Sequence, residues 1–148
     1  MKIKINVRGD KNLIAQLKND TAIVLDASSK FMKRAAERIA KEAAMNAPVD
    51  LHNLEKSIHV VKSIGENSRR LAIRVIAGGV VNGVNVDEYA TKVHENYDDE
   101  NPGPGTASKR AANPGRHIGS KFLENAVKSE REGIEQRALL AVVEELKK

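Results

Sequence analysis

A chain of 148 residues has the length of one domain and the bulk to bury a core, which argues against two independent domains. Two Phe, two Tyr and no Trp leave that core to Ile, Leu, Val and Ala, and the lack of cysteine excludes disulfides and thiolate chemistry. A net charge of +5 with 30% charged residues, bases mixed with acids, suits solubility and is modest for a dedicated nucleic-acid binder.

The chain opens with MKIKINVRGD, where Lys2, Lys4 and Asn6 alternate with Ile3, Ile5 and Val7, the period of a half-buried strand, before a Gly9-Asp10 turn. This stretch lacks the apolar segment of a signal peptide, and no apolar run approaches the ~20 residues that span a bilayer, which points to a chain made and kept in a cytoplasm with no membrane partner. Leu13, Ile14 and Leu17 then fall at helical spacing. A separate helix of about 25 residues, ~37 Å long, is expected over 21–46, with Val24, Ala27, Phe31, Ala35, Ile39 and Ala43 as its apolar stripe. Its outer face carries Lys30, Lys33, Arg34, Arg38 and Lys41. Interleaved with Glu37 and Glu42 and without aromatics for base stacking, they read as a solvated face rather than a phosphate-binding one.

Pro48 ends that helix, because the residue before a proline is pushed out of the helical region. A bend follows, in which Asp50 can cap a short turn holding Leu51 and Leu54. Strands are expected at 57–64 and 70–77 around the polar turn GENS; Leu71, Ile73 and Val75 alternate with Ala72, Arg74 and Ile76, giving a hairpin with one face buried. A glycine-punctuated connection, GGVVNGVN, leads to a helix with Val86, Tyr89, Ala90 and Val93 on one side and Asp87 as its possible cap. The C-terminal helix is expected over 120–147, with Phe122, Leu123, Ala126, Val127, Ile134, Ala138, Leu139, Val142 and Leu146 as its apolar set and a kink near Gly133. The fold class is therefore α+β: a long amphipathic N-terminal helix and a C-terminal helix packed on a small, mainly antiparallel sheet, in a single domain.

Between the last two helices lies a polar stretch, 96–119, with three prolines and four glycines. Its centre, NPGPGTASKR, has the ingredients of a phosphate-binding loop without the order: Ser108 stands where glycine must precede Lys109, Arg110 where Ser or Thr must follow, and the upstream segment is acidic. In HENYDDE, His94, Glu95, Asp98, Asp99 and Glu100 offer ligands for a divalent cation. They match no calcium loop and lack the second histidine of a zinc helix, so they read as a solvated acidic patch. The four histidines have no cysteine companion, no Gly-x-Ser-x-Gly elbow is present, and Glu37 and Glu42 face solvent. No catalytic, cofactor or metal site is expected. Residues 96–118 instead read as an extended flexible arm. Asp98, Asp99 and Glu100 at its start and Lys109, Arg110 and Arg116 at its end are the candidate residues for pairing between neighbouring copies.

The order of these elements, with Ala47-Pro48-Val49-Asp50, Leu54 and Ser57-Ile58, then Tyr89-Ala90 and Val93, then Phe122-Leu123, resembles the neck, or tail-completion, proteins of tailed bacteriophages over about 3–146. Where that family more often has Thr-Gly after the Pro-Val-Asp, this sequence has Leu51-His52, and Asn53 is left to supply a similar bend. The resemblance implies a virion protein without catalysis or cofactor, assembled from the host cytoplasm into a ring of six copies. The ring would complete the head-proximal end of the tail, or join it to the portal-side connector, with DNA passing through unread. It marks Pro48, Val49, Asp50, Leu54, Tyr89, Ala90, Phe122 and Leu123 as structural positions and suggests that the arm orders on assembly. The alternative reading is a sequence-independent DNA-binding protein, whose duplex affinity would fall steeply with salt.

Overall fold

From Lys11 the chain runs as one helix, α1 (Lys11–Asn46), of 36 residues. The computed structural model describes residues 11–64 and 71–148, so the expected N-terminal strand, the Gly9-Asp10 turn and the GENS turn lie outside the described residues. The two helical segments expected here are joined. No Gly or Pro interrupts 11–46, and Asn19, Asp20 and Thr21 each cost a helix interior only tenths of a kcal/mol. Ala27, Ala35 and Ala43 of the predicted stripe are buried along it, with Ala36 buried beside them.

Pro48 does terminate α1, but the bend after it is built differently from the expected one. His52 takes the left-handed conformation (φ 61°) at the head of α2 (Asn53–Ser57), no side chain caps that helix, and Leu51 stands 70% exposed. Asn53 is buried and accepts a 2.9 Å hydrogen bond from Asn82 Nδ2. Strands β1 (Ile58–Ile64) and β2 (Leu71–Ala77) pair antiparallel from Ile58 opposite Ala77 to Ile64 opposite Leu71. Half-buried Ile73, Val75 and Ala77 alternate with exposed Arg74 and Ile76, as the period-two pattern requires. The glycine-punctuated connection is itself a small hairpin, β3 (Val80–Val81) and β4 (Val84–Asn85). Its tip, Asn82-Gly83 at φ 53° and 77°, has the residues that a two-residue turn with both φ positive selects.

Helix α3 (Asp87–Asn96) follows, with Asp87 not capping it but accepting from the Gly79 amide at 3.0 Å. Next comes α4 (Pro104–Ala112), then α5 (Phe122–Arg131) and α6 (Ile134–Leu146). The expected single C-terminal helix is two helices, broken at Glu132-Gly133 with Gly133 at φ 70°. Ala43 and Ala47 from the end of α1, Leu54, Val86, Ala90, Phe122 and Ala126 form the buried core, with Leu123, Tyr89 and Val93 packed against it. Phe122 is fully buried, and His94 meets its ring edge-on at 4.9 Å.

The described residues fall into two compact units: Met32–Ile134, which holds this core, and 11–31 with Glu135–Lys148. The second unit buries Ala27 and leaves Leu25, Leu139 and Leu140 at least 60% exposed.

Candidate functional site

An α-helix leaves its last carbonyls without partners and carries a partial negative charge there. The last turn of α1 has no basic residue to meet that charge. The cations arrive from far along the chain. Lys109 Nζ on α4 donates to the carbonyls of Ala44 and Ala47, both at 2.8 Å, and pairs with Glu55. Arg116 Nη1 donates to Glu42 Oε2 at 2.7 Å and Asn46 Oδ1 at 2.9 Å, and the Gly119 amide reaches the Asn46 carbonyl at 2.9 Å. Arg110 closes the segment on itself, to Asp99 Oδ1 at 2.9 Å, the Asp99 carbonyl at 2.7 Å and the Ile118 carbonyl at 2.8 Å.

These bonds correct the expectation of an extended arm over 96–118. The segment contains a helix, buries Thr106 and Ile118 completely, and uses Lys109, Arg110 and Arg116 to seal the end of α1 and fasten its own flanks. On the acidic side, Asp98 accepts from the Glu100 and Asn101 amides and from Asn101 Nδ2 at 3.0–3.1 Å, closing a turn, and Glu100 is exposed. Of the six candidate interaction residues, Asp99, Lys109, Arg110 and Arg116 are paired within the chain. Among the described residues no group of three or more His, Asp or Glu converges as a metal site.

Thr106 binds this segment to the Pro48-Val49-Asp50 loop. Its hydroxyl accepts from the Val49 amide at 2.9 Å and from Tyr97 Oη at 2.9 Å, and donates to the Val49 carbonyl at 3.1 Å. The neighbouring position must be glycine for α4 to come so close, because a Cβ on Gly105 would lie 2.7 Å from the Val49 carbonyl oxygen.

The loop, α3 and residues 97–105 enclose a cleft of about 380 Å³. Pro48, Val49, Asp50, Leu54 and Tyr89 line it, so five of the eight family-motif positions converge on one surface. The other three lie behind that surface, Ala90 and Phe122 in the core and Leu123 against it. Both tyrosines of the chain, Tyr89 and Tyr97, are in the wall, and its charged side chains are Asp50 and Asp98, with no Lys or Arg. Burial pushes the Tyr89 phenol up from its ordinary value, and the nearby Asp50 carboxylate pushes it further. Asp98 is held below the ordinary carboxylate range, chiefly by the Asn101 side chain and backbone, so the cleft stays negative at neutral pH. Leu51 and Val84 add exposed apolar surface. Tyr97, Gly105, Thr106 and Glu55, which hold the loop, α4 and the end of α1 together, are the positions that reading the sequence misses; Pro104, suited to the first turn of a helix, is the signal that α4 begins there.

Asp99 gives this arrangement a pH dependence. Burial raises its carboxyl pKa, but hydrogen bonds from Ser120, with His117 and Arg110 nearby, outweigh that and leave it below the ordinary value of 3.8. A carboxyl depressed on folding stabilises the fold above its unfolded pKa and loses that contribution as pH falls through the folded one. Urea midpoints should therefore drop as pH is lowered below about 3.8, and Asp99→Asn should show a shallower drop.

Three of the five basic residues named for the outer face of α1 form ion pairs within the chain. Lys30 pairs with Asp26 at 2.7 Å, Lys33 with Glu37 at 3.8 Å and Arg38 with Glu130 at 3.0 Å. Among known families, the HK97-gp10-like model, described as "Bacteriophage HK97-gp10, putative tail-component", matches residues 11–94. That span includes α1, the Pro48-Val49-Asp50 loop and Tyr89, and stops before α4. No curated protein and no solved structure gives a significant match.

Proposed function

The chain belongs to the HK97-gp10-like family of bacteriophage tail components, and from that premise we propose that it acts at the neck of the virion. There it completes the head-proximal end of the tail, or joins it to the portal-side connector, as one of six copies in a ring around the DNA channel. The observation that carries this reading is the convergence of Pro48, Val49, Asp50, Leu54 and Tyr89, all within the matched span, on one open cleft whose far wall is built by residues 97–105. A protein whose work is to be held between neighbours needs such a surface, in which tyrosine and aliphatic groups supply contact and fixed charge supplies selectivity. The rival role, sequence-independent DNA binding, is weakened by the ion pairs that occupy Lys30, Lys33 and Arg38.

The test is a phage from which this chain has been deleted. Its lysate should contain DNA-filled heads and complete-length tails lying apart in electron micrographs, and supplying the chain in trans should restore joined particles. Joined, infectious virions made without it would refute the neck assignment.

A further inference from the structure

The cleft is lined by two tyrosines, aliphatic groups and two carboxylates, and none of its lining residues is Lys or Arg. Its volume, about 380 Å³, lies near the lower end of the roughly 300–1,000 Å³ usual for ligand sites. It has room for a few side chains of an extended segment and not for a folded element. Lys2, Lys4 and Arg8 alternate or flank with Ile3, Ile5 and Val7 in the stretch before α1, which carries three positive charges and no carboxylate over 2–8. That stretch lies outside the described residues and supplies what the cleft lacks: aliphatic side chains to lie against Tyr89, Val93 and Leu54, and cations to meet Asp50 and Asp98. Lysine and arginine are also drawn to tyrosine ring faces.

We propose that this cleft receives residues 2–8 of a second copy of the chain. The proposal deepens the neck-ring reading and rests on it for the presence of a neighbour. A cyclic ring is built from heterologous contacts, in which one surface gives and a different one receives. A basic, alternating terminal stretch and an acidic, aromatic cleft form such a pair. Repeating the contact from copy to copy closes a ring without a self-complementary patch.

Charge exchange with rescue tests this. Self-association of the full chain is followed by analytical ultracentrifugation for the wild type, for Asp50→Lys, for Lys2→Glu with Lys4→Glu, and for the combination of all three. Asp50 is exposed, so Asp50→Lys should keep the wild-type circular-dichroism spectrum; Leu51→Lys, at a 70% exposed position in the same wall, is the second variant should it not. Each single-sided change should weaken association at least tenfold, the combined variant should recover most of it, and a synthetic peptide of residues 2–8 in excess should dissociate the wild-type oligomer. A wild type that stays monomeric, single-sided variants that associate as the wild type does, or a combination that fails to recover would each overturn the proposal. A deletion phage whose heads and tails lie apart would leave the neck assignment standing even then, so the two can fail separately.

Discussion

Replacing Thr106 with valine should lower the stability of the Met32–Ile134 unit by about 2–4 kcal/mol. Valine keeps the shape, so packing is nearly unchanged; what goes is one hydroxyl that makes three hydrogen bonds in a fully buried position. The Val49 amide would then be left in the interior without an acceptor, which costs ~1–3 kcal/mol by itself. The Val49 carbonyl and the Tyr97 hydroxyl would each lose a partner in addition. Thr106→Ser, which keeps the hydroxyl and loses one methyl, should cost about 1 kcal/mol. Urea unfolding followed by circular dichroism checks both. If valine proves no worse than serine, the hydroxyl does not hold the loop. Because the loop carries Pro48, Val49 and Asp50, the valine variant should also disturb the cleft, visible as a changed titration of Tyr89.

The second large effect is expected at Lys109. Changing it to methionine keeps the aliphatic stem and removes the ammonium that serves the Ala44 and Ala47 carbonyls and Glu55. Lys109 and Glu55 are each only 18% exposed, so little water can replace the lost bonds. A full buried-pair penalty of ~3–5 kcal/mol applies to groups cut off from solvent; at this exposure about 2–3 kcal/mol is expected. Glu55→Gln made together with Lys109→Met separates the contributions. If the ion pair matters beyond the two carbonyls, the double variant should be more stable than the sum of the singles predicts, by about 1 kcal/mol. Strict additivity would assign the whole effect to the helix end.

Periodic elements were the legible part of this fold. The hairpin of β1 and β2, α3 and the start of α5 fall within two residues of where alternation and helical spacing place them. The class of the fold follows from those elements. What could not be read was the pairing of distant polar residues, since spacing along a chain carries no record of contacts 57–74 residues apart such as Thr106 with Val49 or Arg116 with Glu42. Charge segregation between Asp98–Glu100 and Lys109–Arg116 suggested an arm reaching outward, while Lys109 and Arg116 find their partners at the end of α1 and Arg110 finds Asp99 within the segment itself. Two glycines beside Pro104 hid α4: glycine lowers helix propensity, but Gly105 is there to let the backbone of α4 approach Val49. The cleft was legible only through the family motif, whose positions had no evident common purpose until the loop and α3 were seen facing one space.

The sealing of α1 by Lys109 sets an order of events during synthesis. Ala47 leaves the ribosome 62 residues ahead of Lys109, an interval of ~3–12 s at 5–20 residues per second. Through that interval the end of α1 can have only water for its last carbonyls, and the cost of closing so long a loop must be met before the contact forms. Completion of the helix end is thus a late step that waits for α4, and a nascent chain cut short before Lys109 should be an easy target for proteases at Ala44–Val49.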